Sequence, residues 1–308
     1  MFCMYKCAHR DGHADMLIAL PPPQLIEISG ADALAFAQAQ FSSDVSALAT
    51  GCTQWSAWLS AQGRVRAFFH LLRVADDAFW LLLRGGEARE LRDALARYVL
   101  RARVTLKVVD TMRVFAIPDD ATIPGAVLGP DTEVIMFLGD GRLCLALPGK
   151  RWLLLAPAVL ALAANDSAEV RNLAALADID TGLVWLDAAL QEKLLPHWLG
   201  LDTLGATSVR KGCYPGQEVV ARLHFKGGVK RGLYRLDYHT SLLPAADARV
   251  DAGDLAEDGS SVVISAAWRE PGLATVLAVL PNSLADSAAA LSIDQRRINK
   301  IATARISS

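Results

Sequence analysis

The chain has 308 residues, 53% of them hydrophobic and 21% charged, with a formal net charge of -2 and a mean hydropathy of +0.27. That length and apolar content bury a substantial core and suffice for two or three domains, which excludes a disordered or fibrous chain. No run reaches the roughly 20 apolar residues of a membrane span, residues 1–15 lack a signal-peptide core, and five cysteines are an odd set for a disulfide framework. A cytoplasmic protein with reduced thiols and no membrane partner is expected.

Residues 1–24 are expected to form a flexible terminus, because Cys3, Cys7 and His9 find no second ligand pair at zinc spacing. Leu25 to Ile28 predicts a short strand, after which Ser29 is placed to cap a helix from Ala31 to about Phe41. Thr53 to Leu59 and Val65 to Val74 alternate as strands around a Gln62-Gly63 turn. Asp76-Asp77 turns the chain into a strand over Phe79 to Leu83, and Leu91, Leu95, Tyr98 and Val99 mark a helix from Glu87 to Leu100. Val104 to Val109 follows as a strand.

Met112 to Ile117, Glu133 to Leu138, Arg142 to Leu147 and Trp152 to Leu155 predict a second set of strands, with residues 118–131 as a loop. Alanine-rich composition predicts helices over Pro157 to Ala164 and Ala168 to Ala177. Cys52 and Cys144 lie in apolar surroundings and read as core. Beyond Arg231, short apolar strands (Leu233–Leu236, Ser261–Ser265, Ala274–Val279) separated by Gly, Asp and Pro predict a small β-barrel, with residues 240–259 as loops.

The most unusual chemistry lies in Lys211-Gly212-Cys213-Tyr214-Pro215-Gly216-Gln217-Glu218 and its continuation through Arg222 to Lys226-Gly227-Gly228-Val229-Lys230-Arg231. Turn residues bracket the thiol, and Gln217 to Leu223 reads as helix, so Cys213 precedes a helix N-terminus with Arg210 and Lys211 beside it. Such surroundings favour thiolate over thiol. From Arg210 to Arg235 seven basic residues face one acid, Glu218, a local field suited to a polyglutamate tail, a phosphate or RNA. Taken singly, a lone cysteine is more often a small buried hydrophobe and a basic run a solvated face.

As a string, the segment resembles the signature of the YgfZ family of folate-binding proteins: a Lys-Gly-Cys-Tyr-x-Gly-Gln-Glu core, a downstream Arg, a basic residue plus Gly, and Lys-Arg. Ser29-Gly30-Ala31-Asp32-Ala33, Trp58-Leu59 and Gln62-Gly63-Arg64-Val65 resemble the N-terminal part of the same family. The family is related to the aminomethyltransferase (T-protein) of the glycine cleavage system and includes a mitochondrial iron–sulfur assembly factor. The resemblance implies an α+β T-protein-like fold. Residues 25–230 would be two interwoven folate-binding subdomains, with changeovers near 110 and 180, and residues 231–308 a C-terminal β-barrel.

It also implies a tetrahydrofolate-type ligand and iron–sulfur client or assembly proteins as partners, with no stably bound metal and tRNA contact left open. Cys213 would be the reactive thiol, tuned and oriented by Lys211 and Arg222. Glu192 falls where the T-protein places its pterin-binding glutamate; a carboxylate's two acceptors match the paired donors of a pterin edge. Trp198 and Tyr214 could stack on the pterin, Gln217 and Glu218 complete the signature, and Lys226, Lys230 and Arg231 would hold anionic groups, the segment 211–231 lining a shared cavity.

T-proteins carry an acidic pair shortly after a Gly-Gly turn, and the matching positions here hold Arg66 and Ala67. A guanidinium there reverses the charge and removes any base, which counts against glycine-cleavage chemistry. Iron–sulfur support is the leading expectation; a one-carbon transferase and an RNA-binding module through the basic stretch are the alternatives. No phosphate-cradling Gly-x-x-x-x-Gly-Lys loop, dinucleotide fingerprint or His-Glu-x-x-His is present.

Overall fold

The computed structural model describes residues 17–117, 133–252, 261–284 and 291–304. The described residues open with β1 (Leu17–Ala19), β2 (Leu25–Ser29), α1 (Ala33–Gln40), β3 (Thr53–Leu59), β4 (Val65–Ala75), β5 (Ala78–Leu83), α2 (Ala88–Ala96) and β6 (Thr105–Val108). The last five strands of this set pair in the order β3-β4-β5-β2-β6, every pairing antiparallel. Alternation along the strands sends Ile26, Ile28, Phe69 and Leu81 to one face, where α1 packs through Phe36 and α2 through Leu91 and Leu95. The opposite face carries Leu25, Phe68, Leu72 and Leu82 into the largest core.

The next elements are β7 (Met112–Ile117), β8 (Met136–Phe137), β9 (Leu143–Leu147), β10 (Arg151–Pro157), β11 (Ala164–Asn165) and α3 (Ala168–Thr181). They build a second sheet in the order β11-β1-β7-β10-β9-β8, so the N-terminal strand β1 is stitched between later ones. Its inner residues Val114, Leu145 and Leu153 join the same core as the first sheet and α3. Ser167 caps α3 by accepting from the Val170 N–H at 3.4 Å, and Gly182 ends it in the left-handed region at φ 72°.

Helix α4 (Gln217–Lys226) leads into β12 (Arg231–His239), β13 (Val250–Asp251), β14 (Val262–Glu270), β15 (Leu273–Pro281), β16 (Ser292–Ile293), β17 (Arg296–Arg297) and β18 (Lys300–Thr303). Here the expected barrel is not formed. One open sheet runs β14-β15-β12-β18 and a separate one β13-β16-β17, and neither closes among the described residues. Short apolar strands between turns look alike in an open sheet and a barrel, because side-chain alternation does not say whether the outer strands pair. Both faces of the open sheet are already covered. Leu233, Ile264, Leu277 and Val279 face the core that holds α3, while Leu236, Val276 and Leu280 pack with Ile293 of the small sheet.

Ion pairs and hydrogen bonds fasten this region to α3: Asp180 binds Arg235 and Arg269, and the Asn172 side chain brackets the Trp268 main chain by donating to its carbonyl at 2.7 Å and accepting from its N–H at 2.8 Å. Other differences are local. No helix forms over 157–164, because β10 keeps pairing with β7 as far as Pro157 opposite Met112 and tertiary pairing overrides alanine propensity. The strand expected over 133–138 narrows to Met136–Phe137, with Val134 in an isolated bridge to Cys52. Ser29 does not cap α1; Asp32 holds the cap position, and its carboxylate binds Arg103 instead. The terminal Cys3, Cys7 and His9 and the loop at 118–131 lie outside the described residues, as do residues 253–259 of the expected loop at 240–259.

Candidate functional site

The cysteine segment is held from two sides. Lys211 donates from Nζ to three main-chain carbonyls at the end of α1 and just beyond it, those of Gln38, Phe41 and Ser43, at 2.5, 2.6 and 2.9 Å. These carbonyls lie where a helix leaves its acceptors unpaired and its dipole is negative, so a lysine is well matched to them. Burial pushes Lys211 down to about 8, with Asp44 opposing the shift. Nearby, Ser42 donates to the Ala206 carbonyl at 2.6 Å and its own carbonyl accepts from the Ser208 N–H at 2.8 Å.

On the other side, α4 begins against the turn of the β3–β4 hairpin. Gly216 is its N-cap at φ 79°, and a Cβ there would stand 2.5 Å from the Ser60 carbonyl oxygen and 2.7 Å from the Gly63 Cα. Gly63, at φ 72°, is equally constrained: a Cβ would meet that of Val219 at 2.7 Å. Both positions require glycine for conformation and for space. Between the two anchors Cys213 is exposed, in contrast with Cys144, which is buried in β9 and whose thiol burial pushes up to about 11.

Tyr214 is a core residue. Its ring is buried, its hydroxyl donates to the Ser208 carbonyl at 2.9 Å, and Lys211 lies 5.1 Å over it. Gln217 accepts from the Tyr214 N–H at 3.3 Å and so closes the turn before α4. Glu218 lies in the first turn of that helix, at its electropositive end. Arg222, Lys226 and Lys230 are exposed. Trp198 is half-buried with two guanidinium groups over its ring, Arg64 at 5.1 Å and Arg231 at 5.4 Å.

Glu192 belongs to a different place. Its N–H donates to the Val65 carbonyl at 2.8 Å, and the Val65 N–H donates to the Leu194 carbonyl at 2.9 Å, so residues 192–194 run beside the start of β4. Glu192 itself has φ 58°, a left-handed conformation rare for a glutamate and a local cost concentrated at this point. Across from it, Arg66 is the extra residue of a β-bulge, since Trp58 opposes Ala67 while Leu59 opposes Val65. The bulge aims the guanidinium at the carboxylate: Arg66 Nε stands 2.7 Å from Glu192 Oε1 and its Cζ lies 4.9 Å over the Trp58 ring.

The pair lines a polar cleft of about 280 Å³ that also touches Trp58, Glu87, Glu90 and Arg97. No residue of the segment 211–231 walls this cleft, nor a second, apolar cavity of about 230 Å³ on the far side of Leu83. The expected sharing of one cavity is therefore not realised in these two, although both motifs dock on the same hairpin. Among the described residues no three of His, Cys, Asp and Glu converge as a metal site would require, and no helix is long and apolar enough to cross a membrane.

Sequence reasoning read Arg66 only as a missing acid. That it is the partner of Glu192 had one available signal, an arginine just after the Gly63 turn in an otherwise apolar strand. A second feature left no sequence signal: His70, fully buried, shares a hydrogen bond with Thr53 and stacks on Trp55 at 4.2 Å, and burial pushes it down to about 3.

No protein-family model matches the chain. It is 30% identical over 261 residues to an uncharacterized protein of Haemophilus influenzae, covering 84% of this chain and 82% of that one. It is also 30% identical over 276 residues to the tRNA-modifying protein YgfZ of Vibrio vulnificus, again covering 84% of this chain and 82% of the relative. The chain belongs to the YgfZ family. A further YgfZ, from Klebsiella pneumoniae, is 29% identical over 290 residues, covering 87% of this chain and 86% of the relative. The fold is shared with the glycine cleavage system aminomethyltransferase T of Bartonella henselae at a TM-score of 0.63 and 15% identity, over 94% of this chain and 86% of that one.

Proposed function

We propose that this YgfZ-family protein binds a reduced folate at the Arg66–Glu192 cleft and acts as an accessory factor in iron–sulfur cluster assembly or repair, and thereby in tRNA modification. The observation that carries the folate reading is the 2.7 Å pairing of Arg66 with Glu192 in a polar cleft. A pterin edge offers two adjacent donors next to a carbonyl acceptor. A carboxylate beside a guanidinium offers the complementary set, two acceptors and a fork of donors, so the pair as a unit suits that edge. A volume of about 280 Å³ suits the pterin ring and leaves the tail outside.

Bound folate would supply a carrier for one-carbon groups. Glu192 and Arg66 would orient the pterin, and Trp58 would give the guanidinium a flat support. Exposed Cys213, held in place by the Lys211 tether, would be the thiol that exchanges ligands with a cluster cargo, and Arg222, Lys226 and Lys230 would meet anionic partners, tRNA included. The relatives' description as tRNA-modifying proteins supports the wider role. Aminomethyl transfer is the weaker reading, because Arg66 and Ala67 supply no base where the related enzyme has acids.

Calorimetric titration of tetrahydrofolate into the wild type, Glu192→Gln and Cys213→Ser tests the proposal. Binding that survives in Cys213→Ser and weakens ten-fold or more in Glu192→Gln is expected. A wild type that takes up no folate would end the folate reading.

A further inference from the structure

The second cavity, of about 230 Å³, has a different character from the cleft. Leu82, Val114, Leu147, Leu153, Ala174 and Ala175 give it apolar walls, and Trp185, 42% exposed, stands on its lining. Among the described residues three arginines line it, Arg84, Arg151 and Arg171, against a single acid, Asp178. The cavity is therefore apolar in surface and cationic in charge, the combination that admits an amphipathic anion.

The hydrogen bonds single out one of the arginines. Arg151 is engaged at all three of its nitrogens, with Nε donating to the Pro148 carbonyl at 3.0 Å, Nη1 to Asp178 at 2.7 Å and Nη2 to the Thr181 hydroxyl at 2.9 Å. Asp178 is engaged through both oxygens, one to Arg151 and the other to Arg84. Arg84 is not. Its Nη2 meets Asp178 and its guanidinium lies 5.0 Å over the Trp185 ring, but its Nε is buried with no partner. A buried guanidinium N–H without an acceptor is costly, and Arg84 as a residue is 6% exposed.

We propose that this cavity is a binding site for a small aryl carboxylate, separate from the Arg66–Glu192 cleft. The carboxylate accepts from Arg84, and the ring lies against the apolar walls. A dry cavity of about 150 Å³ holds benzene, so 230 Å³ holds a benzene ring with a short acidic arm. The cleft and the cavity share Leu83 alone among their described lining residues, which allows both to be filled at once.

The test is calorimetry on the full chain with phenylacetate and with its neutral isostere phenylacetamide. Phenylacetate binds with one-to-one stoichiometry, and the amide at least ten-fold more weakly because it forfeits the charge-assisted bond. Ala174→Phe, which fills the cavity from α3 and removes no member of the ion network, abolishes binding while its thermal melt stays cooperative. Arg84→Lys keeps the charge, loses Nε and weakens phenylacetate ten-fold or more. Saturation with tetrahydrofolate leaves the phenylacetate affinity unchanged. No binding by the wild type, equal affinity for acid and amide, full binding in a folded Ala174→Phe, or competition with tetrahydrofolate each overturns the proposal. Should Arg84→Lys fail to fold, the acid–amide comparison and Ala174→Phe still decide. A chain that binds no tetrahydrofolate leaves the phenylacetate titration intact, so the two readings fail separately.

Discussion

Asp178 and Glu192 each hold a guanidinium, but Asp178 does so with its side chain 19% exposed, against Arg84 at 7% and Arg151 at 12%, whereas Glu192 is 54% exposed against Arg66 at 30%. The first network ties α3 to β5 and β10, and removing any member strands a charge away from water. The second closes a bulge at the edge of a cleft, where water or a ligand can replace either partner. One chemical pair is thus sealed from water as scaffold in one place and open to it in the other, where the proposed folate reading makes it the recognition surface.

Asp178→Ala should draw the sharpest line, costing about 3–5 kcal/mol in chemical denaturation because two buried guanidinium groups lose their anion. Lys211→Met should follow at about 2–3 kcal/mol, since the carbonyls of Gln38, Phe41 and Ser43 lose their common donor; a loss under half a kcal/mol would show the tether to be dispensable.

The pH dependence of stability reports on His70, whose charged form is opposed first by burial and then by Arg84. The unfolded chain takes up this proton near 6.5 and the folded chain near 3, so stability falls as pH drops through that window and is unaffected by this group above it. The slope reaches about 1.4 kcal/mol per pH unit, and His70→Gln should flatten it. Glu192→Gln should do least to stability, under about 1 kcal/mol, while changing folate affinity most. A Glu192→Gln as destabilising as Asp178→Ala would erase the contrast between the two networks.

Much of this architecture was legible because the patterns are local. The β3–β4 hairpin, β5, α2 and α3 follow from alternation, turn pairs and helical spacing, and the Lys-Gly-Cys signature led to both the family and the exposed thiol. What escaped was decided by partners distant in sequence. Strand β10 continues to Pro157 because Met112 pairs with it, and the C-terminal sheet stays open because α3 and a small sheet cover its faces. Tyr214 and Trp198 could stack on a pterin, although core is the commoner place for an aromatic. Only packing separates them, one ring buried beneath Lys211 and the other under two arginines.

The meeting of Gly63 with the start of α4 joins two stretches about 150 residues apart into one surface of backbone against backbone. Neither stretch can be exchanged alone. A chimaera that takes the hairpin turn from a relative whose turn carries a side chain at this point, and keeps its own Pro-Gly-Gln, would wedge α4 away from the sheet and carry the thiol with it. Members of the family that keep this contact should therefore keep glycine at both positions, since a side chain at either one forces the two stretches apart.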